Sequence, residues 1–273
     1  MKVAELAEDT LHKEAALKEL LASYGSILIA YSGGVDSTYL ADVAHDVLGE
    51  AARLVLADAP SLPRSELRDA VRIAAKRGWN LTVVETKEFE DDTFLDNSER
   101  RCYFCKNIKL ASIGALAKEW GIETLAHGEN VDDTRDTTRF GAQATHEHGV
   151  VGPMMEVGLS KAEIRLLSRA RGLPTWDKPS YSCLATRFPT GHRLNIEELG
   201  RVEEAEETLK SCGFRQFRAR HHGELCRIEL ELAELTRALD PELREQIVAR
   251  LSALGYRHVT LDLAGYRSGS TAG

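Results

Sequence analysis

Residues 26–40 read SILIAYSGGVDSTYL. Ser26 to Tyr31 form a short apolar run suited to a buried strand. Ser32, Gly33 and Gly34 then carry little or no side chain, so backbone N–H groups can approach an anion closely. Val35 opens a helical pattern, and a helix N-terminus adds free amides and the positive end of its dipole. Asp36 and Ser37 fall near cap positions, where their oxygens can satisfy amides or help hold a metal ion. The stretch has neither the lysine of GxxxxGK[ST] nor the spacing of GxGxxG.

Working outward, ARLVLA (52–57), LTVVE (81–85) and TLAHG (124–128) read as further strands. SELRDAVRIAAKRG (65–78) and KLASIGALAKEWG (109–121) read as the helices between them. Apolar strands alternating with helices of this length predict an α/β fold: βαβ units forming a parallel sheet with helices on both faces. Gly128, closing TLAHG, falls at the carboxyl edge of that sheet, where backbone can approach a nucleotide. After the turn-rich segment ending in KPS the pattern changes. A helix (195–213) precedes strands FRQFRAR, LCRIELE and YRHVTLDL, which predict a small α+β domain. The expected division is 1–190 and 191–273.

In this context SGGVDS resembles the pyrophosphate loop of the PP-loop ATP pyrophosphatases. That resemblance implies an adenine nucleotide alpha hydrolase-like fold. It also implies an enzyme that cleaves ATP between the α and β phosphates, adenylates a substrate and releases pyrophosphate. Ser32, Gly33, Gly34, Val35, Asp36, Ser37 and Gly128 are then the expected ATP contacts, with Asp36 a candidate Mg²⁺ ligand.

The bulk composition limits the rest. The chain has 273 residues, 43% of them apolar and 29% charged, with net charge −8. Its pI is near 5.7 and its mean hydropathy −0.29. An acidic chain argues against a general nucleic-acid surface. No apolar run approaches the ~18 to 20 residues that span a bilayer. The first residues form an acidic amphipathic helix rather than a signal peptide, so a cytoplasmic location is expected. The one basic concentration is RQFRARHHGELCR (215–227), which can serve a small phosphorylated ligand.

Five cysteines are an odd number, and a reducing compartment disfavours disulfides. Cys102 and Cys105, in ERRCYFCK, precede an apolar helix, and Cys183 sits in KPSYSCLATRFP. Cys212 and Cys226 read as small buried side chains. A zinc site using Cys102, Cys105, Cys212 and Cys226 lacks a second CxxC-like spacing. A thioredoxin-type dithiol leaves the nucleotide loop unexplained. Cys102, Cys105 and Cys183 are the three thiols that can hold three irons of a 4Fe–4S cluster, leaving the fourth iron open to an extra sulfide.

Taken together, SGGVDST, RCYFCK, HGENVDD and KPSYSCLATRFP in this order resemble the ATP-dependent sacrificial sulfur transferase family, LarE. The likeness runs through most of the chain. It implies the substrate pyridinium-3,5-biscarboxylic acid mononucleotide, whose carboxylates become thiocarboxylates in nickel-pincer nucleotide biosynthesis. Single-cysteine members give up the cysteine sulfur and keep dehydroalanine. This sequence also carries the CxxC, and so is similar to the three-cysteine branch, in which the cluster carries the sulfide. The resemblance further favours a homo-oligomer. Rival readings are a PP-loop tRNA thiolase, an amide-forming PP-loop synthetase, and a non-catalytic nucleotide-binding module.

Other candidates follow from residue type. Lys106 and Arg187 flank the cysteines and can lower a thiolate pKa or hold substrate charge. Arg218 and Arg220 alternate along a predicted strand, so both project from one face and suit a substrate phosphate. Asp132 and Asp133 are candidate Mg²⁺ or ATP-positioning residues, or simply caps. Glu206 and Glu229 are weaker metal candidates, with a solvated surface as the alternative. His221 and His222 are adjacent, so on a strand they face opposite sides and are poor joint ligands. Trp176 reads as core or hinge packing.

Overall fold

A computed structural model describes residues 7–135, 140–179 and 181–267. In chain order the elements are α1 (Glu8–Tyr24), β1 (Ile27–Ala30), α2 (Val35–Leu48), β2 (Ala52–Asp58), α3 (Arg64–Arg77) and β3 (Asn80–Glu85). They continue with α4 (Asp92–Leu95), α5 (Arg101–Glu119), β4 (Leu125–His127), α6 (Phe140–Glu147), α7 (Pro153–Glu156) and α8 (Lys161–Ala170). The last are α9 (Ile196–Ser211), β5 (Phe217–His222), β6 (Leu225–Leu230), α10 (Leu235–Ala238), α11 (Pro241–Ala253) and β7 (His258–Leu261).

The chain forms two compact units. The first comprises Met1–Ala59, Arg64–Glu88 and Cys102–Ser180; the second comprises Pro60–Pro63, Phe89–Arg101 and Tyr181–Gly273. We keep 1–190 and 191–273 as the proposed domain division. The compact units differ from it in giving the second unit two short earlier stretches and residues 181–190.

In the first unit the strands stand in the order β3-β2-β1-β4, with every pairing parallel. Ile27, Leu28 and Ile29 are all fully buried, although alternate side chains point to opposite faces. Both faces of β1 are therefore covered, which is why the run is continuously apolar rather than alternating. On one face Leu28, Val55 and Leu125 pack with Leu110, Ile113 and Ala117 of α5. The expected α/β parallel sheet is what forms. A difference lies at α5. It begins at Arg101, so Cys102 and Cys105 belong to its opening turns rather than preceding it. The charged run around the cysteines hides that start, because its apolar stripe begins only further along.

The second unit holds the sheet β5-β6-β7, with β5 and β6 antiparallel and β6 and β7 parallel. Its core joins Leu209, Phe214, Phe217, Ala219, Ile228, Leu230, Ile247, Leu251 and Tyr256. Helix α9 contributes Leu199, Val202, Ala205, Glu206 and Leu209, spaced three and four apart along one face. No helix among the described residues is long and apolar enough to cross a membrane.

Candidate active site

The loop after β1 is shaped by its small residues. Gly33 has φ +70, and a Cβ there would lie 2.6 Å from Ala70 Cβ, so the position tolerates only glycine. Gly34 is the N-cap of α2 and offers no side chain to its first turn. The amides of that turn lack intrahelical acceptors and remain directed at the space before the helix. The Ser32 amide donates to Ser37 Oγ at 3.2 Å, and the two hydroxyls lie 2.9 Å apart. Ser37 thus closes the loop on itself.

Gly128 meets this loop from β4. A Cβ on it would lie 2.7 Å from the Ser37 amide nitrogen and 2.9 Å from Ser37 Cα. Only hydrogen fits there, so the carboxyl edge of the sheet and the start of α2 are in backbone contact.

Two lysines that sequence reasoning missed reach the loop. Lys161, the first residue of α8, is ion-paired to Asp36. Lys178 donates to the Gly33 carbonyl at 3.1 Å and pairs with Glu66 at 2.7 Å. No local pattern marks Lys161, and Lys178 opens the KPSYSCLATRFP stretch without anything there that points to the loop. The supporting contacts are specific. Arg165 donates to the carbonyls of Trp176 and Lys178, both at 2.8 Å, and so fastens the segment carrying Lys178. Asp132 Oδ2 accepts the Lys161 amide at 2.8 Å. Asp133 Oδ2 accepts the Asn130 side-chain amide at 2.9 Å. Asp132 thus holds the first amide of α8, and Asp133 holds Asn130.

Burial pushes the Asp36 carboxyl above its ordinary value, against the pull of Lys161 and with a push from Asp133. One oxygen, Oδ1, is buried without a hydrogen-bond partner. A carboxylate with one oxygen satisfied and one left over fits a cation or a ligand donor.

Helix α8 positions Lys161 through a capping box. Ser160 Oγ accepts the Glu163 amide, and Glu163 Oε2 accepts the Ser160 amide at 2.9 Å. Burial works to raise the Glu163 pKa, but Lys13 and Ser160 hold it at about 2. Its folded value is lowered, so its stabilising effect is complete above the unfolded pKa and is lost only as pH falls towards about 2. Ser160→Ala is expected to lower stability by about 1 kcal/mol, measured by urea denaturation.

Cys102 is exposed and Cys105 half-buried, and none of the five cysteines is in a disulfide. Cys105 Sγ lies 3.7 Å from Glu88 Oε1, and Lys109 lies 3.1 Å from the same oxygen. Lys106 is half-buried on α5, with its stem against Gly141.

In the second unit Cys183 precedes a tight turn. Its carbonyl accepts from the Thr186 amide at 3.0 Å, from Thr186 Oγ1 at 2.8 Å and from Arg187 Nη1 at 3.1 Å. Arg187 is fully buried. It meets Glu206 through two bonds of 2.7 and 2.9 Å, while Nη1 also donates to the Ser182 carbonyl. Tyr181 donates to the same carboxylate. Burial acts to raise the Glu206 pKa, and Arg187, Tyr181 and Arg218 together hold it below the ordinary value.

Arg218 and Arg220 lie on one face of β5, each 4% exposed. Arg218 stacks on Tyr181 and Tyr266, and its pKa is lowered by burial and by Arg187. Arg220 donates to the Thr186 carbonyl at 2.6 Å and to Glu229 at 2.9 Å. Glu206 and Glu229 are 3% and 0% exposed, so neither occupies a solvated face. For Glu206 the signal was present in the sequence: it sits four residues after Val202 and three before Leu209, on the apolar stripe. Cys212 caps the end of α9, and Cys226 is fully buried with its thiol pushed up to about 12 by burial. Trp176 carries Arg169 over its ring at 4.6 Å.

No protein-family model matches the chain. An uncharacterized protein of Synechocystis sp. is 41% identical over 259 residues, covering 94% of this chain and 96% of that protein. The pyridinium-3,5-bisthiocarboxylic acid mononucleotide synthase of Lactiplantibacillus plantarum is 31% identical over 258 residues, 94% of this chain and 92% of that one. The chain belongs to the LarE family of ATP-dependent sulfur transferases. A more distant relation is the GMP synthase (glutamine-hydrolyzing) of Chlamydia caviae, 25% identical over 211 residues, 71% of this chain and 40% of that protein. The LarE membership thus lies within the wider set of PP-loop enzymes, in agreement with the parallel sheet and its glycine loop.

Proposed function

We propose that this LarE-family protein adenylates the carboxylates of pyridinium-3,5-biscarboxylic acid mononucleotide with ATP and converts them to thiocarboxylates. The observation that carries the reading is the synthase relative, similar along nearly the whole chain and named for the bisthiocarboxylic product.

A carboxylate is a poor electrophile because its charge is delocalised. In the first step its oxygen bonds to the α-phosphorus and the α–β phosphoanhydride bond breaks, releasing pyrophosphate. The amides at the start of α2, with Gly33 and Gly34, are proposed to bind the phosphates, and Lys161 and Lys178 to add positive charge. Mg²⁺ is proposed at Asp36, which the leftover buried oxygen supports; when bound it would neutralise phosphate charge. In the second step sulfur bonds to the acyl carbon and the bond to AMP breaks. Arg218 and Arg220 are proposed to hold the substrate phosphate, and Lys106 its remaining charge. Arg187 instead fixes the turn carrying Cys183, as its bonds to residues 182, 183 and 186 support.

Two sulfur sources fit the residues. Cys102, Cys105 and Cys183 are proposed ligands of a 4Fe–4S cluster, which when bound would present a sulfide on its open iron. The spacing of Cys102 and Cys105, neighbours on a helix face, supports this for the pair. The alternative is Cys183 itself. Its sulfur attacks the acyl carbon, and loss of the Cα proton breaks the Cβ–S bond to leave dehydroalanine.

The test is anaerobic purification with iron and sulfide quantification, then incubation with ATP and the pyridinium mononucleotide. Pyrophosphate release that requires the mononucleotide, with thiocarboxylate in the product, is expected. Many turnovers with an intact Cys183 support the cluster route. Loss of the elements of hydrogen sulfide from Cys183, seen by mass spectrometry, supports the self-consuming route. Pyrophosphate release indifferent to the mononucleotide overturns the substrate.

A further inference from the structure

One set of ligand-type side chains in the second unit is used by none of this chemistry. His192, Glu198 and His221 bring one ligand atom each to within 4.8 Å of the others. They come from three places: the segment before α9, the first turn of α9, and strand β5. His192 Nε2 lies 2.7 Å from Glu198 Oε2, and His221 Nε2 lies 3.4 Å from Glu198 Oε1. The ring of Phe188 lies against both imidazoles, with centroids 5.3 and 5.0 Å away, which restricts how either can turn. His222, the neighbour on the strand, is exposed and takes no part.

The contact between His221 and Glu198 is poorly served by the protein alone. His221 is fully buried, and its Nε2 has no hydrogen-bond partner. Its other nitrogen, Nδ1, is 3.1 Å from the Tyr256 hydroxyl. If Nδ1 carries the proton and donates to Tyr256, a ring lone pair faces a carboxylate lone pair across 3.4 Å. If Nε2 carries it, that proton meets the carboxylate across 3.4 Å in a long, poorly aligned contact. A cation between the two groups satisfies both.

We propose that His192, Glu198 and His221 bind one divalent first-row transition ion, for which Zn²⁺ is the reference probe. Two imidazoles and one carboxylate are borderline ligands of the type that hold such ions, with water completing the set. Tyr256 serves as the outer partner that sets the His221 tautomer. His192 and Glu198 are 30% and 23% exposed, which gives the ion access from solvent. Once bound, the ion ties the segment that follows the Cys183 turn to α9 and β5.

The experiment uses the full chain after chelator treatment, with Zn²⁺ followed by calorimetry and Co²⁺ by visible absorption. One ion per chain is expected at this site, with d–d bands and no thiolate charge-transfer band. A variant with Cys102, Cys105 and Cys183 all changed to serine keeps this ion, which separates it from cysteine ligation. Tyr256→Phe weakens Zn²⁺ by about 10- to 100-fold, the effect of losing an outer partner. His192→Gln and Glu198→Gln each weaken it by more than about 100-fold, because they remove a ligand outright. Both residues are partly exposed, and the thermal transition without metal checks that each variant folds. Zn²⁺ raises the transition temperature of the unaltered protein and not of His192→Gln. Absence of binding in the triple-serine variant, or unchanged affinity in His192→Gln, overturns the proposal.

Discussion

Alanine at Cys183 is expected to abolish thiocarboxylate formation while leaving substrate-dependent pyrophosphate release near the level of the unaltered protein. The separation follows from where the groups sit in the chain. The glycine loop proposed to bind ATP and the two lysines around it belong to the first unit, and none of their bonds among the described residues uses residue 183. The turn at Cys183 is held by main-chain and neighbouring donors, through the Thr186 amide, Thr186 Oγ1 and Arg187. Alanine keeps every one of those bonds and loses only the sulfur. Cys226→Ala is the matched control: that thiol lies in a core, is pushed up to about 12, and is not expected to affect transfer. Product and pyrophosphate quantified on the same samples check the result. Sulfur transfer surviving in Cys183→Ala would remove this residue from the chemistry on either route.

Glu206→Ala is expected to destabilise the second unit by about 3–5 kcal/mol, the range for breaking one side of a buried ion pair. Arg187 would be left fully buried with its guanidinium uncompensated, and Tyr181 and the Ala219 amide would each lose an acceptor. The denaturant midpoint reads the loss, and a shift worth less than about 1 kcal/mol would contradict the buried-pair account. The pH dependence has a definite sign. The Glu206 carboxyl is held below its ordinary value in the folded state, so the pair's contribution is complete above the unfolded pKa. It is lost as pH falls through the lowered folded value. The unaltered protein therefore loses this stability in acid, and Glu206→Ala, having none to lose, shows a flatter acid limb.

The sequence carried the parts of this architecture that depend on neighbours in the chain. Strand, glycine loop and helix follow one another within residues 26–40, so the shape of that loop is legible there. Arg218 and Arg220 share a face because strand alternation is local. Lys161 and Lys178 are not legible, since each matters only through a partner more than a hundred positions away. The same reason conceals the His192, Glu198 and His221 set, in which three elements meet. Glu206 is a different case: its helical spacing placed it on the apolar stripe, but its charge suggested solvent. Only the buried guanidinium opposite explains a carboxylate there.

The second unit collects Pro60–Pro63 and Phe89–Arg101 along with the C-terminal stretch, and the Leu184 amide donates to the Ser61 carbonyl while Asn97 bonds at Pro189 and Gly191. Those early stretches emerge from the ribosome well before the residues that will hold them. During translation they are made before the residues that hold them, and the turn bearing Cys183 acquires its framing only after Glu206 has been added. The turn at Cys183 is thus completed by segments from both directions along the chain, and not by its own stretch alone.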